Sequence, residues 1–148
     1  MEYNFLIKKL DEEAKIPVKS TDFSAAYDIF SLESGIVLAR NKSIIRTGIA
    51  IRIPQLPEPL KVYGNIRPRS GLSAKFSLET GAGIIDYDYV DEIKVILYNH
   101  SDKDYVFAKH DRIAQLILEV HITPPVVEVD KFPDIKTNRT GGFGSTGN

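Results

Sequence analysis

The segment Arg67-Pro68-Arg69-Ser70-Gly71 sets two guanidinium groups, a hydroxyl and a glycine ahead of Leu72-Ser73-Ala74-Lys75. These residue types at the start of a short helix suit a phosphate. Unpaired N–H groups and the helix dipole favour an anion, Arg69 can add bidentate contacts, and Gly71 lets a backbone approach closely. Ser70 is placed to cap the helix. An ordinary capped helix with surface arginines explains the same string, and alone it names no activity.

The second chemical segment is Gly81-Ala82-Gly83-Ile84-Ile85-Asp86-Tyr87-Asp88-Tyr89. Its glycines suggest a tight hairpin whose main chain is open to a flat ligand. A carboxylate beside an apolar wall can hold a water as general base, and a tyrosine can pack against a sugar or base. The plainer account is a hairpin with a polar tip, in which Asp86 or Asp88 only caps a turn.

Short β-prone runs must position these segments. Ile49, Ile51 and Ile53 alternate with Ala50 and Arg52, and Ile93, Val95 and Leu97 alternate in the same way. Ala114, Leu116, Leu118, Val120 and Ile122 share one strand face, opposite Gln115, Glu119 and His121. Such strands, divided by turn residues, predict an all-β sandwich or barrel with one short helix.

Composition narrows the function classes. With 148 residues there is room for one domain and one core. The 19 basic and 20 acidic residues leave a net charge of −1, which argues against a partner held by its nucleic-acid backbone. The absence of cysteine excludes disulfides and thiolate zinc sites. The apolar runs are too short for a membrane span, and the charged N-terminus is unlike a secretion signal. The expectation is an intracellular protein, cytoplasmic or nuclear, with no nucleic-acid or membrane partner. The glycines at 141, 142, 144 and 147 read on composition as a frayed tail.

Five segments stand in order. They are Ala25-Ala26-Tyr27-Asp28-Ile29-Phe30-Ser31, the Arg67 to Lys75 string, the Gly81 to Tyr89 string, Asp111-Arg112-Ile113-Ala114-Gln115-Leu116-Ile117, and Gly141-Gly142-Phe143-Gly144-Ser145-Thr146-Gly147. Together they resemble the five ordered motifs of the trimeric dUTPase family, across residues 25 to 147. The resemblance implies a jelly-roll-like β subunit over residues 1–132, assembled as a three-fold homotrimer with sites at the subunit interfaces. It also implies an arm, residues 133–148, closing over a neighbour's site, which reverses the reading of the tail.

The implied reaction is magnesium-dependent hydrolysis of dUTP to dUMP and pyrophosphate, with water attacking the α-phosphorus. That reaction keeps uracil out of DNA and supplies dUMP for dTMP synthesis. Position by position, Asp86 resembles the catalytic carboxylate that activates the water. Arg69, Ser70, Gly71 and Gln115 match phosphate contacts. Asp28 matches the carboxylate that helps hold magnesium through a water. Gly83, Ile84 and Ile85 match the hairpin that meets the uracil edge, and Tyr89 the ring beneath the deoxyribose. Phe143 matches the aromatic that stacks on uracil; Gly144, Ser145 and Thr146, with Arg139, belong to the arm that reaches the terminal phosphates.

Some positions depart from the family pattern. Ala26 replaces a glycine, and a left-handed backbone there would strain the alanine. Val90 and Asp91 stand where arginine and glycine are usual. His110 replaces a glycine, and Arg139 sits one residue closer to Phe143 than the usual arginine. A dUTP-binding regulatory trimer without turnover is the alternative these changes leave open, and a dCTP deaminase is a second.

Overall fold

The computed structural model describes residues 3–134 and 136. The elements run β1 (Leu6–Lys9), β2 (Tyr27–Phe30), β3 (Gly35–Val37), β4 (Lys42–Arg46), β5 (Ile49–Arg52), β6 (Lys61–Arg67), α1 (Ser70–Phe76), β7 (Leu78–Gly81), β8 (Ile84–Ile85), β9 (Lys94–Asn99), β10 (Tyr105–Phe107) and β11 (Arg112–His121). The order β2-β11-β6-β8 makes a four-stranded sheet and β4-β9-β7 a three-stranded one. β1 with β5, and β10 with β3, add two-stranded ribbons. Every pairing is antiparallel. The result is the all-β, jelly-roll-like subunit, with one short helix among the described residues.

Alternation explains why these segments become strands. β9 and β6 each bury every second residue, as a half-covered sheet requires. Ile29, Ile66, Ile113 and Leu116 from the larger sheet meet Ile45, Leu78, Val95 and Leu97 from the smaller in one core. Each such side chain, fully buried, contributes about 1.5–3 kcal/mol. Asn99 is buried among them without cost in lost bonds. Its amide donates to the Val37 carbonyl at 3.0 Å and the Lys103 carbonyl at 2.8 Å, while its oxygen accepts from the Ser101 N–H at 3.0 Å. The apolar face of β11 leaves the core before the strand ends: Leu116 is buried, whereas Val120 and Ile122 are exposed.

Local geometry corrects three expectations. Arg69, with φ −87° and ψ 131°, caps α1 by its backbone and without a side-chain bond, so Ser70 is the first helical residue and not the cap. The Gly81 to Ile85 segment is no hairpin, because β7 pairs with β9 and β8 with β6. It crosses from one sheet to the other, and Ala82 takes φ +47° to make the step. Finally, among the described residues the left-handed non-glycine positions are Arg40, Ser77, Ala82 and His110, so Ala26 carries no such strain. His110, at φ +67°, does.

Candidate active site

Four elements meet around Asp28. The residue sits on the edge strand β2, where its N–H donates to the Val18 carbonyl at 2.7 Å. Its carboxylate is almost fully buried. Arg69 Nε donates to Oδ1 at 3.1 Å. Arg112 Nη1 donates to Oδ2 at 3.3 Å, and Ser20 Oγ to the same oxygen at 2.7 Å. Arg69 Nη1 also reaches the Arg112 carbonyl at 3.2 Å. The clasp therefore ties the loop before β2, the start of β11 and the start of α1 to one carboxylate. Two guanidiniums against one carboxylate leave the corner net positive, suited to an anion.

Gln115 stands in register with Asp28 on one side and Arg67 on the other. Its Nε2 donates to the Pro68 carbonyl at 2.8 Å, which fixes the peptide leading to Arg69. A Cβ added to Gly71 would meet nothing within 4 Å, so the space above the first helical turn is open to a ligand. Nearby, burial pushes the Tyr105 phenol above its ordinary pKa, with Asp111 adding to the rise and Arg69 opposing it.

The second cluster lies at β8. Ile66 N–H donates to the Gly83 carbonyl at 2.7 Å, and a Cβ at Gly83 would meet the Ile66 carbonyl oxygen at 2.5 Å. Glycine is thus demanded here by the approach of β6, before any ligand is considered. Ile84, Ile85 and Tyr89, with Ile66, Ala82, Ile93 and Lys94, line a cleft of about 150 Å³. The Tyr89 N–H donates to the Asp86 carbonyl at 3.1 Å, closing a four-residue turn. Tyr89 Oη donates to the Glu92 carbonyl at 3.0 Å, which pins the phenol. Glu92 is anchored in turn, its Oε1 accepting from the Gly48 N–H at 2.9 Å and from Arg46 Nε at 3.2 Å. The Asp86 carboxylate is exposed and makes no hydrogen bond among the described residues. It is free to meet water.

These two clusters occupy opposite edges of one sheet. β2 and β8 are separated by β11 and β6. Ile85 is in register with Gly64, so Asp86 continues beside Tyr63, at the far end of β6 from Arg67. With strands about 4.8 Å apart and a rise of about 3.3 Å per residue, the Asp28 and Asp86 backbones lie on the order of 20 Å apart.

The model of the family described as dUTPase matches residues 12–147. The chain belongs to the dUTPase family. A dUTPase relative, the deoxyuridine 5'-triphosphate nucleotidohydrolase of Paramecium bursaria Chlorella virus 1, is 46% identical over 144 residues, covering 97% of this chain and 98% of its own. That of Arabidopsis thaliana is 48% identical over 143 residues, covering 97% of this chain and 82% of its own. Among solved dUTPases, the Staphylococcus bacteriophage 80alpha enzyme with dUPNHPP superposes with a TM-score of 0.85 at 27% identity, covering 97% of this chain and 98% of that one.

Within this dUTPase chain the expected residues fall into two groups. Asp28, Arg69, Ser70, Gly71 and Gln115 gather at one corner; Gly83, Ile84, Ile85, Asp86 and Tyr89 gather at the other. Arg139, Phe143, Gly144, Ser145 and Thr146 lie outside the described residues, as does most of the expected arm. Arg112 and Ser20 were missed by sequence reasoning. Arg112 belongs to the fourth motif, yet nothing local says that it turns toward Asp28. Ser20 carries no signal beyond its nearness to the first motif.

A magnesium ion is the cofactor the family implies, and Asp28 is the carboxylate expected to help hold it. The donor set does not fit. Three hydrogen-bond donors already occupy its two oxygens, two of them cationic. Among the described residues no group of three or more histidines, aspartates or glutamates is placed to hold a metal. No helix among them is long and apolar enough to cross a membrane.

Proposed function

We propose that this chain hydrolyses dUTP to dUMP and pyrophosphate as one subunit of a homotrimer. The observation that carries the reading is the turn at residues 86–89. It holds an exposed carboxylate, Asp86, three residues from a pinned phenol, Tyr89, which lines a cleft with room for one pyrimidine ring.

In this reading uracil enters beside Ile84 and Ile85, whose backbone meets its edge. Tyr89 lies beneath the deoxyribose and leaves no space for a 2′-hydroxyl. Asp86 orients a water and takes its proton as the water oxygen bonds to the α-phosphorus. The bond from that phosphorus to the bridging oxygen breaks, and pyrophosphate leaves. Arg69 and the first turn of α1, with Ser70 and Gly71, neutralise the phosphate oxygens, while Gln115 holds the approach to Arg69. Positioning and charge neutralisation are what phosphoryl chemistry needs most. Magnesium, when bound, adds charge neutralisation on the triphosphate; no protein cage for it is assigned.

The separation between the two corners favours sharing between subunits. Asp28 and Asp86 lie on the order of 20 Å apart, and Arg69 Nε is held on Asp28 at 3.1 Å, so one α-phosphorus cannot reach both Asp86 and the phosphate corner of the same chain. The phosphate corner of one subunit therefore faces the Asp86 turn of another. The 133–148 segment is assigned as an arm that covers a neighbour's site, with Phe143 on the uracil and Arg139, Gly144, Ser145 and Thr146 toward the phosphates.

Pyrophosphate release tests this directly, with dUTP, dTTP, dCTP and UTP in parallel and Asp86→Asn as control. The expected result is release from dUTP alone, lowered 10²–10⁴-fold in the variant, the usual worth of a general base. Release from none of the four by a folded trimer would overturn it.

A further inference from the structure

We infer that Asp28 is a positioning residue, holding the guanidiniums of Arg69 and Arg112 in place for a phosphate chain, and that it is not a seat for a metal ion. The inference rests on the hydrolase reading above, but it concerns a different residue and a different step.

Counting acceptor capacity comes first. An ionised carboxylate offers about four lone-pair sites. Oδ2 takes Ser20 at 2.7 Å and Arg112 at 3.3 Å, and Oδ1 takes Arg69 at 3.1 Å. The remaining site on Oδ1 opens on very little solvent, since the side chain is 8% exposed. A metal-bound water needs an open acceptor, and a divalent ion is repelled by two adjacent guanidiniums. A phosphate meets the opposite situation at every point.

The geometry of the arginines completes the case. Arg69 spends Nε on Asp28 and one Nη1 hydrogen on the Arg112 carbonyl, which leaves Nη2 and the second Nη1 hydrogen to donate to a ligand. Arg112 spends Nη1 on Asp28 and is half exposed, so it too keeps donors for a ligand. A guanidinium already fixed loses less freedom on binding than a free one. Without the carboxylate the two cations would repel each other and swing apart. Neutral Asn fails in the same place, because its amide group offers donors where the arginines need acceptors.

Calorimetric binding of dUPNHPP, with magnesium and with the metal chelated, separates the two roles. Wild type, Asp28→Asn and Ser20→Ala are compared, after circular dichroism and mass measurements establish folded trimers. Asp28→Asn is expected to weaken metal-free binding about tenfold, through two mispositioned charge-assisted bonds, while the affinity gain on adding magnesium stays within about twofold of wild type. Ser20→Ala should follow the same pattern at a smaller amplitude, and it serves if the Asn variant does not fold. In an Arg69→Ala background most of the Asp28→Asn effect should vanish. Unchanged metal-free affinity with a lost magnesium gain would overturn the inference, and so would no change in either. If the wild type fails to bind dUPNHPP, the hydrolase reading falls by itself. Inorganic triphosphate, which needs only the guanidiniums, then still reads the role of Asp28: weaker binding in Asp28→Asn supports it, and equal binding overturns it.

Discussion

Gln115 on β11 donates through Nε2 to the Pro68 carbonyl at 2.8 Å, tying one of the two inner strands of the four-stranded sheet to the residue just before the helix cap. The bond spans 47 residues of sequence. It makes the strand face a template for the Arg69 backbone. Gln115→Ala should therefore loosen Arg69 as well as remove an amide. Losing one such bond costs about 1 kcal/mol. A KM for dUTP raised roughly five- to tenfold, with kcat less affected, is the expected steady-state result.

Tyr89 is pinned from both ends, by its N–H on the Asp86 carbonyl and its hydroxyl on the Glu92 carbonyl. A ring held this way can exclude a 2′-hydroxyl by contact alone. Tyr89→Ala should lower the ratio of dUTP to UTP hydrolysis at least tenfold, since opening a steric gate is worth about 1–3 kcal/mol. An unchanged ratio of the two kcat/KM values would remove Tyr89 from sugar selection.

His110 pairs strain with a compensating contact. Its φ is +67°, and its Nε2 lies 2.7 Å from the Glu13 carbonyl. That carbonyl can only accept, so Nε2 carries the proton. His110→Ala keeps the left-handed strain and loses the bond, and should cost about 1 kcal/mol of stability. His110→Gly loses the bond but relieves the strain, and should stay within roughly 0.5 kcal/mol of wild type. Denaturant midpoints of the two variants, compared at equal slope, decide it.

A pH-sensitive pair sits on the outer face of the same sheet. Tyr63 Oη donates to Glu119 Oε2, with Asn65 Nδ2 on the same oxygen at 3.3 Å. The Tyr63 bond first, and the Asn65 bond after it, hold the Glu119 carboxyl below its ordinary pKa. The bond to Glu119 holds the Tyr63 phenol above its own. The depressed carboxyl contributes stability that is present above the ordinary glutamate value and lost as pH falls through the lowered one. The raised phenol contributes stability present below the ordinary tyrosine value and lost as pH rises through the raised one. Tyr63→Phe should lower stability on the neutral plateau, where the bond contributes, and flatten the profile at both limbs, where wild type loses that contribution. Thermal melts from acid to alkaline pH read this out.

The alternating isoleucines at 49, 51 and 53 and the run 93, 95, 97 declared their burial in the sequence, although Ala50, on the other face of β5, is buried as well. The ordered motifs likewise contained the residues of both clusters, around Asp28 and around Asp86, that the proposed reading joins. What stayed hidden depends on contacts far apart in the chain. Residues 20, 28, 69 and 112 meet at one carboxylate, and no periodicity encodes that meeting. The Gly81 to Ile85 segment has the composition of a hairpin, yet partner choice belongs to β6 and β9 and sends its two strands to different sheets. Ser70 has the chemistry of a cap, but the helix begins one residue early, with Arg69 taking the extended backbone usual at a cap while its side chain bonds Asp28. Expected strain moved from Ala26 to His110 for a similar reason: backbone angles follow the turn that the surrounding strands impose.

The placement of Asp28 and Asp86 at opposite edges of one sheet has a genetic consequence. Two damaged chains can repair each other. An Arg69→Ala chain keeps an intact turn, and an Asp86→Asn chain keeps an intact phosphate corner. Each should be nearly silent in its own trimer. When the two are unfolded together in equal amounts and refolded, random assembly around a three-fold axis pairs a sound corner with a sound turn at about one site in four. Roughly a quarter of wild-type turnover should then emerge from two silent parents. Were each site built within one chain, every mixture would remain silent.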